Sequence, residues 1–189
     1  MITAIIGVVG TLMGVVLGWL LNCLSKKGKL NFYIKSFSDS FYCSDGEGGR
    51  IKSCNKETTE SYHYKLIFDL YNSSSETKAI HDLKIAFLNG KEELYVSIPI
   101  KSPFKQDDSI EQYDKTVIIN IPPKTLIKVC LVGDEFIKNK KTPFIWRTNE
   151  VNLIYYNEKN KLKKVNIKSE NYCDYFENHK TEENENEKR

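Results

Sequence analysis

Arginine is nearly missing from this chain of 189 residues, with only Arg50, Arg147 and Arg189 among its 28 basic residues. A nucleic-acid surface wants arginine forks and exposed aromatics interleaved on one face, so no nucleic-acid partner is expected. Cysteines are few, odd in number and irregularly spaced: Cys23, Cys43, Cys54, Cys130 and Cys173. A secreted disulfide scaffold uses a denser, even set, so free thiols in a reducing compartment are expected. Cys43 and Cys54 are the one pair that a hairpin would bring face to face. Histidine is limited to His63, His81 and His179, no two of them at helix-face spacing. Together with Cys43 and Cys54, His63 lacks the short Cys-x-x-Cys knuckle of a structural zinc site, and no metal is expected. Asp45-Gly-Glu-Gly-Gly49 lacks the Lys-Ser/Thr that completes a phosphate loop, and Asp45 and Glu47 lack the ligand spacing of a calcium loop. No Gly-x-Ser-x-Gly elbow is present either. The expectation is a protein that is not an enzyme and carries no cofactor.

Charge and proline are absent from Ile2 to Leu21, twenty residues in a row. As a helix that stretch spans roughly 30 Å, the hydrocarbon thickness of a bilayer. Residues 1–25 are therefore read as a single-pass transmembrane anchor, with the lipid bilayer as a partner. A cleavable signal peptide would bring a basic leader, a shorter apolar core and a small-residue cleavage site, none of which is visible. Leu20-Leu21-Asn22-Cys23 departs from a lipoprotein box at Asn22, where a small residue belongs. Trp19 sits where an indole rests at the headgroup level, and Lys26, Lys27 and Lys29 follow the apolar run with no basic residue before it. Positive charge stays inside, so the C-terminal domain is expected in the cytoplasm and the N-terminus outside. Gly10, Gly14 and Gly18 recur every four residues, with Gly7 seven before Gly14. That spacing puts them on one helix face, where another helix backbone can approach closely; a homo-oligomer or a protein partner is expected there.

After Gly28 the pattern becomes alternation. Leu30, Phe32 and Ile34 mark a first strand, and Tyr62, Tyr64, Leu66, Phe68 and Leu70 a stronger one. Ala79 to Leu88 follows, then Asn89-Gly90, then Leu94, Val96, Ile98 and Ile100 as the returning arm of a hairpin. Thr116 to Ile121 and Thr125 to Val132 read as a pair across Pro122-Pro123, and Val151 to Tyr156 with Leu162 to Ile167 as a last hairpin. About eight short strands without an intervening helix predict an all-β fold, an antiparallel two-sheet sandwich of immunoglobulin-like or C2-like pattern, over residues 26–168. Residues 38–61 read as a loop or hairpin insertion. Residues 169–189 carry seven acidic against three basic residues and read as a polar tail, a short helix and then disorder.

Between 138 and 164, Lys138, Lys140, Lys141, Arg147, Lys159, Lys161, Lys163 and Lys164 outnumber Glu150 and Glu158. Lys159, Lys161, Lys163 and Lys164 are the candidates to face anionic lipid, each contributing about 1 kcal/mol near the surface; the competing reading is protection of an edge strand. The expected role is a membrane-tethered, non-enzymatic binding module. The alternative is an oligomerising membrane effector or sensor, for example in bacterial defence or stress response.

Overall fold

The sequence from Tyr62 to Asn72 alternates buried and less buried positions with a strict period of two, and with Ser61 it forms a central strand of the larger sheet. The computed structural model describes residues 2–53, 55, 57–101, 114–115, 118–136 and 147–169. One helix, α1 (Ile2–Lys26), precedes eleven strands among the described residues. These are β1 (Leu30–Ser44), β2 (Arg50–Lys52), β3 (Ser61–Asn72), β4 (Lys78–Asn89), β5 (Glu92–Ser97), β6 (Ile100–Lys101), β7 (Asp114–Lys115), β8 (Ile118–Ile121), β9 (Leu126–Phe136), β10 (Glu150–Asn157) and β11 (Leu162–Lys168). Nine of them have three residues or more.

Two antiparallel sheets result. One runs β2-β1-β3-β9-β6-β7, the other β11-β10-β4-β5, with β8 pairing beside β4. The protein is a two-sheet β-sandwich behind an apolar helix. The inner faces meet in one core: Phe41, Tyr62, Tyr64, Leu66, Phe68, Leu70 and Leu131 from the first sheet against Ile80, Ile85, Phe87, Ile121, Val151 and Leu153 from the second. Rings bridge the sheets, Phe32 with Tyr155 at 4.8 Å between centroids and Tyr62 edge-on to Phe87 at 5.7 Å. Each fully buried large apolar side chain contributes about 1.5–3 kcal/mol.

Two bulges shift the alternation in mid-strand. Around Lys35 the β1–β3 register slips by one residue, so Ile34 and Phe37, three apart, both face inward; Lys35 is turned out to Asp69 at 3.2 Å. In β4, Asp82 adopts φ +50° and takes up the extra residue against β10. There the other edge of β4 changes partner, from β8 at Lys78–His81 to β5 at Ile85–Asn89. Bulges of this kind bend a strand and re-aim its side chains.

Four sequence expectations change. The first strand continues past Ser38 to Ser44, paired with Ser61–Lys65, so the expected insertion at 38–61 shrinks to the β1–β2 hairpin and the segment leading into β3. The run from Leu94 to Ile100 is not one strand: it breaks at Ile98-Pro99, and β6 joins the other sheet beside β9. Proline has no N–H to offer the ladder, and Ile98 is 71% exposed there. Strands β8 and β9 do not form a hairpin; they belong to opposite sheets, and Pro122-Pro123-Lys124 carries the chain between them, with Lys124 at φ +53°. The Asn89-Gly90 turn does form, though its two loop residues are Gly90 and Lys91, with Gly90 at φ +62°. Cys54, the basic residues Lys138, Lys140 and Lys141, and the tail after Ser169 lie outside the described residues.

Candidate functional site at the helix-proximal end

The end of α1 is tied to the sandwich at a single turn. Asn72 closes β3, and its fully buried side chain organises that turn: Nδ2 donates to the carbonyls of Glu76, Ile121 and Pro122 at 2.8–3.1 Å, while Oδ1 accepts from the Ser74 amide and hydroxyl. The turn so shaped meets the chain leaving the helix. The Ser75 amide donates to the Ser25 carbonyl at 3.2 Å, and the Ser73 amide to the Lys29 carbonyl at 3.0 Å. The Lys29 amide in turn donates to the Ser73 hydroxyl, and Lys26 pairs with Glu76 at 3.1 Å. Gly28 fits because it has no side chain: a β-carbon there would lie 2.3 Å from the Ser74 nitrogen.

The strand register brings further turns to the same end. Leu30 opposes Asn72, Tyr71 opposes Leu126, and Asn157 opposes Ile80. The segments 73–77, 122–125 and 157–161 therefore gather around the base of the helix. They collect Lys26, Lys27, Lys29, Lys78, Lys124, Lys159, Lys161 and Lys163 against Glu76 and Glu158. The last of these segments is shaped by Asn157, whose Oδ1 accepts from the amides of Lys159 and Lys161, with Asn160 at φ +54°.

Between the two sheets this end opens into a cleft of about 400 Å³. Gly28, Lys29 and Leu30 line one side; Lys78, Tyr155, Asn157, Glu158 and Lys163 line the other. Lys78 and Glu158 pair at 3.0 Å with side chains 15% and 31% exposed. Burial alone would raise the Glu158 carboxyl, but the Lys78 hydrogen bond and nearby charges outweigh it and hold the group below the usual carboxylate range. Lys29 and Lys163 have no carboxylate within ion-pair distance among the described residues. An anion is the chemistry this lining suits.

The other expected site residues separate. Lys164, one position on from Lys163 and so on the opposite face of β11, turns to Glu150 at 3.2 Å. Arg147 lies at the far end against Glu92. Along α1, the positions where side chains would begin on Gly7, Gly10, Gly14 and Gly18 meet nothing within 4 Å, and Trp19 is 65% exposed. The span Ile5–Lys26 is long and apolar enough to cross a membrane. Lys78, Tyr155 and Glu158 were not foreseeable as site residues, since partners 80 positions apart leave no local signal.

A second polar cluster lies in the distal half. The Tyr64 and Ser97 hydroxyls are 2.6 Å apart, and the Glu135 carboxylate accepts from Ser97 and from Tyr95. Burial pushes the Tyr64 phenol far up, and burial with the Glu135 contact pushes Tyr95 up to about 12. Gly133 leaves room for the Tyr64 ring, which a β-carbon would meet at 2.2 Å. Each hydroxyl is held by a neighbour, and the cluster latches one sheet to the other. Among the described residues, no group of three His, Cys, Asp or Glu side chains is placed to hold a metal ion.

Fold and helix together define an immunoglobulin-like β-sandwich carried behind an N-terminal apolar helix. The model of the YopI Ig-like domain matches residues 28–168, and the chain belongs to that family. No curated protein matches the chain. Among solved structures, that of a candidate ApaA protein from Bordetella pertussis is similar over 75% of this chain and 90% of its own, at 11% identity and a TM-score of 0.33.

Proposed function

We propose that the protein is a membrane-anchored, non-enzymatic binding module, held by α1 in the bilayer with its sandwich on the cytoplasmic side. The observation that carries this is the clamp between Ser25–Lys29 and Ser73–Glu76, which fixes the sandwich directly at the end of an uncovered apolar helix. A domain so held has one end in the headgroup layer, and among the described residues the turns at that end gather eight lysines against Glu76 and Glu158. Lysines at that depth are attracted to anionic lipid by about 1 kcal/mol each. The same charges favour the inner side during insertion. Distal loops and open sheet edges then face the cytoplasm as the surface for a protein partner. Carbonate extraction of membranes tests the anchor: the full chain stays in the pellet, and release into the supernatant would reject it.

The open stripe of Gly7, Gly10, Gly14 and Gly18 favours a second reading, a membrane effector or sensor that works by self-association of α1. Overexpression that collapses the membrane potential would favour the effector, and an unchanged potential the binding module.

A further inference from the structure

The cleft at the helix base is more specific than a general basic surface. We infer that it seats one phosphate-ester anion, supplied by the headgroup of an anionic phospholipid. The inference rests on the membrane-anchored reading and names the ligand of that end.

Position comes first. Gly28 and Lys29 lie two and three residues beyond the last residue of α1, a reach of about 7–11 Å. The headgroup layer on each side of a bilayer is about 5–8 Å deep. That reach is the fully extended maximum, so a cleft lined by those residues opens within or at the outer edge of the headgroup layer, where the local supply of phosphodiester is far above that of any soluble anion.

Charge comes second. Four ionisable side chains other than Tyr155 line the cleft: Lys29, Lys78, Lys163 and Glu158. Glu158 is engaged by Lys78, so Lys29 and Lys163, on chain segments of different sheets, are the lining lysines without an ion pair among the described residues. Lys29 leads into β1 of one sheet, and Lys163 stands opposite Tyr155 on the other. An anion between them relieves their mutual repulsion.

Shape comes third. At about 400 Å³ the cleft falls in the size range of small-ligand sites. Leu30 and Tyr155 supply apolar wall beside the charges, as the glycerol carbons of a lipid require. Gly28, on one wall, is itself packed against the backbone of Ser74.

The test uses the full chain in a neutral detergent, so that binding does not depend on anchorage. Affinity is measured for short-chain phosphatidylglycerol, short-chain phosphatidylcholine and glycerol 3-phosphate. The expected result is a clear preference for phosphatidylglycerol, with glycerol 3-phosphate much weaker. Lys29→Gln with Lys163→Gln weakens phosphatidylglycerol binding about ten- to thirty-fold, as loss of two surface charges predicts. Lys29→Arg with Lys163→Arg retains it, as does Lys52→Gln with Lys65→Gln, which removes the same charge at the far end. All three double variants should melt like the parent protein, since these lysines are exposed. No preference between the two lipids, or equal loss in the far-end variant, overturns the inference. So does glycerol 3-phosphate binding as tightly as the lipid, which would assign the cleft to a soluble anion. Carbonate extraction reads the anchor separately, so failure of one is not mistaken for failure of the other.

Discussion

The amide of Ser75 donates to the carbonyl of Ser25 across 3.2 Å, joining the last turn of the apolar helix to a turn of the sandwich. The two groups are fifty residues apart in sequence and become neighbours only because Asn72 shapes the turn and Gly28 lets the backbones approach. Hydrogen bonds from Ser75 to Ser25 and from Ser73 to Lys29, with the Lys26–Glu76 ion pair, join helix and domain at this joint.

Gly28→Ala tests the approach. Its β-carbon would meet the Ser74 backbone at 2.3 Å, and backbone cannot rotate away as a side chain can. The expected cost is about 1–3 kcal/mol of stability, with faster hydrogen exchange at the Ser73 and Ser75 amides. Unchanged exchange at both would show that the joint is looser than described.

Asn72→Ala removes a buried side chain that meets three carbonyls and two donors of Ser74. The Ile121 carbonyl and the Ser74 donors bond to Asn72 in buried surroundings, so they bear most of their desolvation cost, while the Glu76 and Pro122 carbonyls are only part-buried. A loss of about 3 kcal/mol is expected in chemical denaturation. A loss below about 1 kcal/mol, the size of one ordinary hydrogen bond, would contradict the network.

The latch of Tyr64, Ser97, Tyr95 and Glu135 makes the protein sensitive to alkali. Tyr95 is raised from 10.0 to about 12 by burial and the Glu135 contact, and Tyr64 further by burial. A group whose folded value is raised stabilises fully below its unfolded value and loses that contribution as pH climbs through the folded one. Stability should therefore hold to about pH 10 and fall between 10 and 12. Phenolate absorbance during unfolding reads it directly. Flat stability through pH 12 would contradict the latch.

Gly14→Ile puts a branched side chain in the middle of the open glycine stripe of α1. An in-membrane association reporter should lose most of its signal, and Leu12→Ile should leave it intact. Equal signals would remove self-association through this face.

The architecture was legible wherever alternation ran unbroken, as from Tyr62 to Leu70 and from Val151 to Tyr156. It was obscured where a bulge shifted the phase. Ile34 to Phe37 breaks the period of two by one residue, so the first strand seemed to end ten residues early, and the same slip at Asp82 hid the exchange of partners along β4. Pro122-Pro123 reads as hairpin punctuation and Pro99 falls inside what reads as one strand, yet both carry the chain between sheets. Of the candidate site, the lysines could be read but not their grouping. Neighbours in sequence such as Lys163 and Lys164 part to opposite faces, while Lys29 and Lys163 line one cleft. Composition holds no record of that grouping, because register alone decides it.

Anchorage and the side of the membrane that the sandwich occupies underlie both proposed roles. Protease added to sealed cells expressing the full chain with a C-terminal tag reads both at once. The tagged domain should survive in the membrane fraction until the cells are opened, then be digested. Digestion in sealed cells, or recovery of a tagged fragment lacking α1, would contradict the anchored, inward-facing arrangement.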